Sequence, residues 1–276
     1  MTATRTLDDL KQGLPPSDRM PLVFLGHGSP MNAIEDTAYS RAWTELGQTL
    51  PRPKAILVVS AHWMTRGTTL VDVSDMPKTI HDFYGFPDAL FAQQYPAPGN
   101  PDLARDVVSL LASHHAEEDD TWGLDHGAWT VLKFLYPGAD VPVFQVSIDM
   151  SKGLDYQLEI GRSLSELRDR GVLILGSGNV VHNLRAVQWG TGAKPHDFAL
   201  EFDALFAEKL EARDFAALSD QAGLGNLLQM AHPSVDHYLP ALTIAGASDA
   251  ADDLTFMTDS IDLASVSMRS YVFHAR

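Results

Sequence analysis

Short, continuous apolar runs constrain the fold of this chain more than any other feature of its sequence. Residues 55–60 (AILVVS) and 172–175 (VLIL) are almost wholly aliphatic, and each run is too short to be a core helix. Such runs are typical of strands that are buried on both faces of a parallel sheet. Weaker runs at 22–25 and 141–148, the second interrupted by Pro142, predict two further strands.

Segments with helical character separate these runs. Helices are predicted over 36–50, 101–113, 127–135, 153–170 and 196–213. Asp36 is a candidate N-cap for the first of them, and Pro101 suits the first turn of the second. Residues 254–258 and 265–273 alternate apolar with small or polar side chains, which predicts antiparallel strands at one edge. This order favours an α/β fold, a three-layer α/β/α sandwich with a mixed central sheet.

Composition narrows the classes of function. The chain has 36 acidic and 20 basic residues, a net charge of −16, which argues against nucleic acid or an anionic membrane as a partner. It has no cysteine, so any metal must be held by His, Asp or Glu. Residues 1–20 form a polar lead-in without an apolar signal core, and no linker divides 21–276. We expect one cytoplasmic domain over 21–276, as a monomer or small homo-oligomer.

Three of the predicted strands lead directly into loops that carry a histidine. His27 follows the run 22–25, His62 follows 55–60, and His182 follows 172–175. Open α/β sheets bind ligands beyond the carboxyl ends of their strands. A single histidine in such a loop is more often structural than functional. Several buried imidazoles without a metal would leave many donors and acceptors unsatisfied, so together they predict a metal site.

Two further clusters contain histidines. Asp125-His126 lies between glycines and tryptophans, and it is read equally well as a helix N-cap or as part of a site. His232 and His237 lie in a proline-punctuated loop that leads into a predicted apolar helix, and we expect one of them to be a metal ligand. The aromatic loop at 79–86 is a candidate substrate lid.

Several familiar motifs are absent. Ser29 in GHGSP does not match the nucleophile elbow of serine hydrolases. The glycines around Ser177 lack the third glycine of a dinucleotide-binding loop. Neither a Walker motif nor the HExxH helix of zinc proteases occurs.

A set of longer motifs resembles a known family. The motifs are FLGHGSPMNAIED (24–36), PRPKAILVVSAHW (51–63), TIHDFYGFP (79–87), YPAPGNP (95–101), WGLDHGAW (122–129), QVSID (145–149), GSGNVVHNLR (176–185) and DHYLPAL (236–242). In this order they resemble the 4,5-DOPA extradiol dioxygenases, which belong to the class III extradiol ring-cleaving dioxygenases. The resemblance extends from about residue 20 to the C-terminus.

This resemblance implies a phosphorylase/hydrolase-like α/β/α fold with one non-haem Fe(II). It implies that His27, His62 and His237 are the metal ligands. By the same resemblance His182 matches the acid/base histidine, and His126 matches a histidine that contacts substrate or bound oxygen. The expected reaction is extradiol cleavage by O2 of a catechol, DOPA-like or a related dihydroxyphenyl acid, to a muconic-semialdehyde-type product.

Some features of the site stay open at this point. Most class III enzymes use two histidines and a carboxylate, so Asp236 is the residue to reconsider if a carboxylate ligand is found. His81, Tyr84, Trp63 and Trp129 are candidate contacts for the aromatic substrate. Three histidines also suit Zn(II), which purified protein could contain. A zinc hydrolase using the same three ligands is therefore the alternative function, and a non-catalytic binding protein is a third.

Overall fold

The structure is a computed structural model, and it describes residues 18–190 and 192–275. Its strands are β1 (Leu22–Gly26), β2 (Ala55–Ser60), β3 (Met64–Thr65), β4 (Thr69–Asp72), β5 (Ala116–Asp119), β6 (Val143–Gln145), β7 (Ile148–Asp149), β8 (Val172–Gly178), β9 (Asp253–Thr258), β10 (Ile261–Asp262), β11 (Val266–Ser267) and β12 (Ser270–His274). Its α-helices are α1 (Ala38–Thr49), α2 (Asp88–Phe91), α3 (Pro101–Leu110), α4 (His126–Leu135), α5 (Leu154–Leu164), α6 (Asp197–Glu211), α7 (Phe215–Ser219), α8 (Gln221–Ala231) and α9 (Leu239–Ala247). The predicted lead-in, except residues 18–20, lies outside the described residues.

The central sheet has the strand order β6-β2-β8-β1-β12-β9. The four strands from β6 to β1 are mutually parallel. β12 runs antiparallel to β1, and β9 runs antiparallel to β12. A mixed central sheet with antiparallel C-terminal strands at one edge is confirmed.

Helices pack on both faces of this sheet because its central strands are buried on both sides. Leu22 and Phe24 point into one cluster of buried side chains, which α3 and α5 to α9 share. Val23 and Leu25 point into a second cluster, which α1 and α4 share. The alternation follows from the period of two of a strand. It explains why β1, β2 and β8 are apolar almost throughout.

The start of α1 differs from the sequence-based expectation. Thr37, not Asp36, is the N-cap: its hydroxyl accepts the Ser40 N–H at 3.1 Å, and the Ser40 hydroxyl accepts the Thr37 N–H at 2.9 Å. Asp36 pairs instead with Arg41 at 2.7 Å. This reciprocal pair satisfies two backbone donors that the helix itself leaves unpaired, so Thr37 is the better cap.

The predicted strand 141–148 is wrong as one element. β6 pairs with β2 in the central sheet, whereas β7 pairs with β3 outside it. Ser147, between them, donates its N–H to the Leu70 carbonyl and accepts the Leu70 N–H at 2.7 Å. The chain therefore leaves the central sheet to contact β4. The sequence patterns do not predict the two-stranded β4–β5 sheet or the helices α2, α7 and α8.

No helix in the described ranges is both long enough and apolar enough to span a membrane.

Candidate metal centre

The carboxyl ends of three adjacent strands deliver the histidines of this site. His27 directly follows β1, His62 follows β2, and His182 follows β8, which lies between those two strands in the sheet. The loop that carries His237 packs directly on the end of β8. A Cβ atom at Gly178 would lie 2.2 Å from the His237 carbonyl oxygen, so only glycine permits this approach.

Three imidazoles meet at this point. One ring nitrogen from each of His27, His62 and His237 lies within 4.8 Å of those of the other two. The ring centroids are 5.0 to 5.2 Å apart, and Nε2 of His27 lies 3.1 Å from Nε2 of His62. His27 is 1% exposed and His237 is 5% exposed, so water hardly reaches either ring. This convergence matches a three-nitrogen metal site.

Hydrogen bonds at the outer ring nitrogens orient two of these imidazoles. The Ser177 hydroxyl donates to the Gly127 carbonyl at 2.6 Å, so it accepts from His27 Nδ1 at 2.9 Å. Nδ1 of His237 donates to Asp236 Oδ2 at 2.5 Å. Both Nε2 atoms then carry a lone pair directed at the centre. Second-shell acceptors of this kind fix the tautomer of metal-binding histidines.

The third imidazole fits the same pattern. Nδ1 of His62 lies 3.3 Å from Asp82 Oδ2, which leaves its Nε2 facing His27. With the proton of both rings on Nδ1, the two Nε2 atoms at 3.1 Å have no proton to share. A divalent cation between them satisfies both lone pairs, so the donor set fits a metal ion.

Burial keeps these rings neutral. It lowers the pKa of His27 and of His237 well below 6.5, and the neighbouring imidazoles lower both further. Burial, reinforced by His126, lowers the pKa of His62 to about 3, against the opposing effect of Asp82. A metal ion binds the neutral form of imidazole, so at neutral pH these rings can bind a metal ion without first losing a proton.

His126 lies against the same centre at the first residue of α4. Its ring centroid is 3.9 Å from that of His62. Asp125 caps the helix, since its carboxylate accepts the Ala128 N–H at 3.2 Å and the Ser60 hydroxyl proton at 2.6 Å. The two interpretations of this cluster are therefore compatible, because the cap holds the helix start that carries His126.

Asp82 links His126 to His62. Its Oδ1 accepts the backbone N–H of His126 at 2.9 Å, and its Oδ2 lies 3.0 Å from His126 Nδ1. Burial raises the pKa of Asp82, but the contacts with His126 and His62 outweigh this effect and leave the pKa at about 2. An ionised carboxylate therefore faces both rings at neutral pH.

His182 lies beside the three imidazoles and belongs to a different group of candidate ligands. Its ring stacks on that of His237 with centroids 3.5 Å apart and an angle of 6° between planes. The ring nitrogens of His182 and His237 cluster with a carboxylate oxygen of Asp236. Burial lowers the pKa of His182 to about 4, so the ring is neutral at pH 7.

A cavity of about 460 Å³ opens onto the histidines. Its apolar wall includes Phe86, Leu184, Val187, Trp189, Leu263 and Val266. His27, His62, His126, His182 and His237 line its inner end. A pocket with mostly apolar walls and a few convergent polar groups is typical of a small-molecule site.

The four candidate substrate contacts lie elsewhere among the described residues. Trp63 and Trp129 are buried, the first stacked on Trp122 and the second donating its indole N–H to a backbone carbonyl. His81 contacts the Gln93 carbonyl, and Tyr84 is 90% exposed. None of the four lines the cavity.

Sequence reasoning did not single out the residues that support the ligands. Ser177 and Asp82 both lie inside motifs that the sequence shows, but nothing in their spacing ties them to a histidine. Of the pair in the C-terminal loop, His237 reaches the centre. His232 is 3% exposed and its Nε2 donates to the Val180 carbonyl at 2.7 Å, so it is a structural residue.

Comparison with known proteins agrees with this geometry. Residues 21–274 match the family described as the catalytic LigB subunit of aromatic ring-opening dioxygenase. The chain is 47% identical over 260 residues to 4,5-DOPA dioxygenase extradiol of Escherichia coli K12, covering 92% of this chain and 94% of that protein. It is 35% identical to 4,5-DOPA dioxygenase extradiol of Beta vulgaris, with 91% and 95% covered.

A solved structure is also similar. The crystal structure of an uncharacterized protein from Escherichia coli K12 matches with a TM-score of 0.78 and 42% identity, covering 92% of this chain and 99% of that one. The family match covers nearly the whole chain, and the relatives are similar over nearly their whole length. Together these comparisons show the family to which the chain belongs. The chain belongs to the family of catalytic LigB subunits of aromatic ring-opening dioxygenases, as an extradiol ring-opening enzyme.

Proposed function

We propose that this enzyme cleaves the ring of a catechol with O2 at an Fe(II) held by His27, His62 and His237. The substrate would be DOPA-like or a related dihydroxyphenyl compound, and the product a muconic-semialdehyde-type compound. The observation that carries the proposal is the set of three imidazoles that offer converging nitrogens within 4.8 Å of one another. The curated relatives named as 4,5-DOPA dioxygenases support the choice of substrate class.

The choice of metal follows from chemistry rather than from the ligand set alone. Three neutral histidines bind Zn(II) as readily as Fe(II). When bound, Fe(II) supplies the redox chemistry that joins a catechol to dioxygen, and Zn(II) does not. The protein's contribution is to hold both reactants in one cavity, within reach of each other.

His182 is proposed as the acid/base residue. It lines the cavity, stacks on His237, and is neutral at pH 7 because burial lowers its pKa to about 4. A neutral imidazole can take the proton of a catechol hydroxyl and later return it to a ring-opening intermediate. Its ring position is set by the stack and by its backbone N–H, which donates to the Ala231 carbonyl at 3.0 Å.

His126 is proposed to hydrogen-bond the oxygen atoms of the reactants. Its ring faces the cavity from the first residue of α4, where the helix dipole favours negative charge. Asp82 accepts the His126 backbone N–H at 2.9 Å and lies 3.0 Å from Nδ1 of the ring, so an acidic group supports this side of the site. We further propose the phosphorylase/hydrolase-like α/β/α class for the fold, one catalytic domain over 21–276, and a monomer or small homo-oligomer.

Oxygen dependence tests this function directly. The enzyme is stripped of metal, reconstituted without oxygen with either Fe(II) or Zn(II), and mixed with a catechol before air is admitted. We expect a yellow product and oxygen consumption only with Fe(II) and only after air enters. Turnover of the catechol that begins before air enters, or that proceeds equally with Zn(II), would contradict ring cleavage by O2 at Fe(II). Hydrolysis of an ester or amide by the Zn(II) enzyme without air would support the zinc hydrolase instead.

A further inference from the structure

Among the described residues, the cavity lining contains carboxylates without a lysine or arginine side chain to balance their negative charge. Two carboxylates, Asp236 and Asp262, belong to its lining, whereas no Lys or Arg among the described residues does. Asp236 lies among the histidines, where its carboxylate clusters with the ring nitrogens of His182 and His237 and accepts the Nδ1 proton of His237. Asp262 lies outside that cluster, so it is the carboxylate that can meet the ring substituent of a ligand. Arg185, which follows Leu184 in the chain, is exposed and does not line the cavity.

Asp262 lies in the wall formed by the β10–β11 pair. It pairs with Val266, which in turn bridges to His182, so this wall adjoins the histidines. One oxygen of Asp262, Oδ1, accepts the Leu263 N–H at 2.9 Å. A carboxylate accepts more hydrogen bonds than this one, so Asp262 retains capacity for a donor from a ligand.

An aromatic ring lines the same cavity. Trp189 is 83% exposed although it belongs to the lining, and Leu184, which also lines the cavity, is 64% exposed. Large apolar side chains that stay exposed at a cavity are typical of ligand-binding surfaces. The face of an indole also attracts cations, more strongly than any other side-chain ring.

The charge of the whole molecule acts in the same direction. A net charge of −16 produces a negative potential that draws cations towards the cavity and repels anions. A substrate anchored at the histidines through its two hydroxyl oxygens must place its ring substituent along the remaining wall. That wall offers apolar surface, an indole and one carboxylate.

We propose that the enzyme selects catechols whose ring substituent ends in an ammonium group, with Asp262 as its counter-ion and Trp189 as its aromatic contact. The inference rests on the proposed function for the position of the catechol. It refines the expectation of a dihydroxyphenyl acid, because a substituent carboxylate meets no cation in the lining. In an amino acid such as DOPA, the amino group is the recognised part.

Three catechols of similar size test this selectivity. They carry a 2-aminoethyl, an ethyl or a 2-carboxyethyl group at the ring 4-position. Their dissociation constants are measured by calorimetry without oxygen on the Zn(II)-loaded enzyme, and their kcat/KM values on the Fe(II) enzyme in air. These values are measured for the wild type, Asp262→Asn and Asp259→Asn. For each protein we compare the affinity and the kcat/KM for the amine with those for the ethyl compound. The control removes a charge from an exposed residue near β10 that does not line the cavity.

We expect the wild type to bind the amine about fivefold more tightly than the ethyl compound, the upper range of a partly exposed ion pair. The carboxylate compound should bind more weakly than both. Asp262→Asn should bring the amine ratio close to one, while Asp259→Asn should keep it. A preference for the carboxylate, or equal ratios in both variants, would overturn the inference.

The two proposals fail separately in this design. If the amine binds best and Asp262→Asn removes the preference, but no compound is cleaved by the Fe(II) enzyme, the ring-cleavage proposal fails and the selectivity stands. If all three are cleaved with the same kcat/KM in wild type and Asp262→Asn, the selectivity fails and ring cleavage stands. If none binds to either metal form, both are wrong.

Discussion

Replacing Ser177 by alanine tests whether metal binding depends on the tautomer of His27. The Ser177 side chain is wholly buried, and its hydroxyl accepts from His27 Nδ1 at 2.9 Å. Alanine removes the acceptor and adds no new group. His27 is 1% exposed, so no water replaces the lost partner. The ring can then place its proton on Nε2, where it blocks metal binding.

The size of this effect follows from the loss of one second-shell contact. Such losses weaken metal binding by about 10-fold to 100-fold, or about 1.4 to 2.7 kcal/mol. The apoprotein should also lose about 1 to 3 kcal/mol of stability, because the buried Gly127 carbonyl and His27 Nδ1 both lose their hydrogen-bond partner. Zn(II) affinity is measured by competition with a chelating indicator, and apoprotein stability by urea denaturation.

The matched control is Ser147→Ala. Ser147 is 2% exposed and accepts the Leu70 N–H at 2.7 Å, and it does not line the cavity. This variant should lose similar stability and keep its Zn(II) affinity. If Ser177→Ala bound Zn(II) as tightly as the control does, the proposed role of the hydrogen bond in fixing the His27 tautomer would be refuted.

The other expectations concern catalysis, stability and pH. His182→Ala should keep its metal content by elemental analysis and lower kcat by about 10² to 10⁴, the usual contribution of a general acid/base; an undiminished kcat would remove it from that role. Arg168→Met should lower the free energy of unfolding in urea by about 3 to 5 kcal/mol, because Asp252 keeps its buried charge after losing contacts at 2.7 and 2.8 Å; a loss below 1 kcal/mol would contradict this. Burial lowers the pKa of His232 to about 3, so the unfolded chain binds a proton that the folded one refuses, and stability falls as pH drops from 6.5 towards 3. His232→Gln should make that fall shallower by up to about 1.4 kcal/mol per pH unit, and an unchanged slope in urea titrations would refute the assignment.

The central strands were predictable because a strand buried on both faces is apolar at nearly every position. The run 55–60 coincides with β2, and the run at 172–175 lies within β8. The division of 141–148 into two strands was not predictable. It depends on the contact of Ser147 with β4, a strand far away in the chain whose own sequence has no strong pattern.

The same contrast holds for the site. His27 and His62 could be predicted as site residues, because strand ends and flanking glycines indicate where a loop meets a ligand. The choice of His237 over His232 came from the family resemblance, not from spacing. The cavity wall could not be predicted, because Trp189 and Asp262 come from segments with no strand or helix pattern of their own and meet only in the fold.

The claim on which the account depends is that His27, His62 and His237 share one metal ion. A crystal structure of the protein loaded with one equivalent of Zn(II) or Fe(II), with anomalous data at the metal edge, tests it most directly. The account predicts one peak within bonding distance, about 2.0 to 2.2 Å, of the Nε2 atoms of all three residues. A peak at other residues, or three rings bonded only to protein groups while the metal is elsewhere, would contradict it.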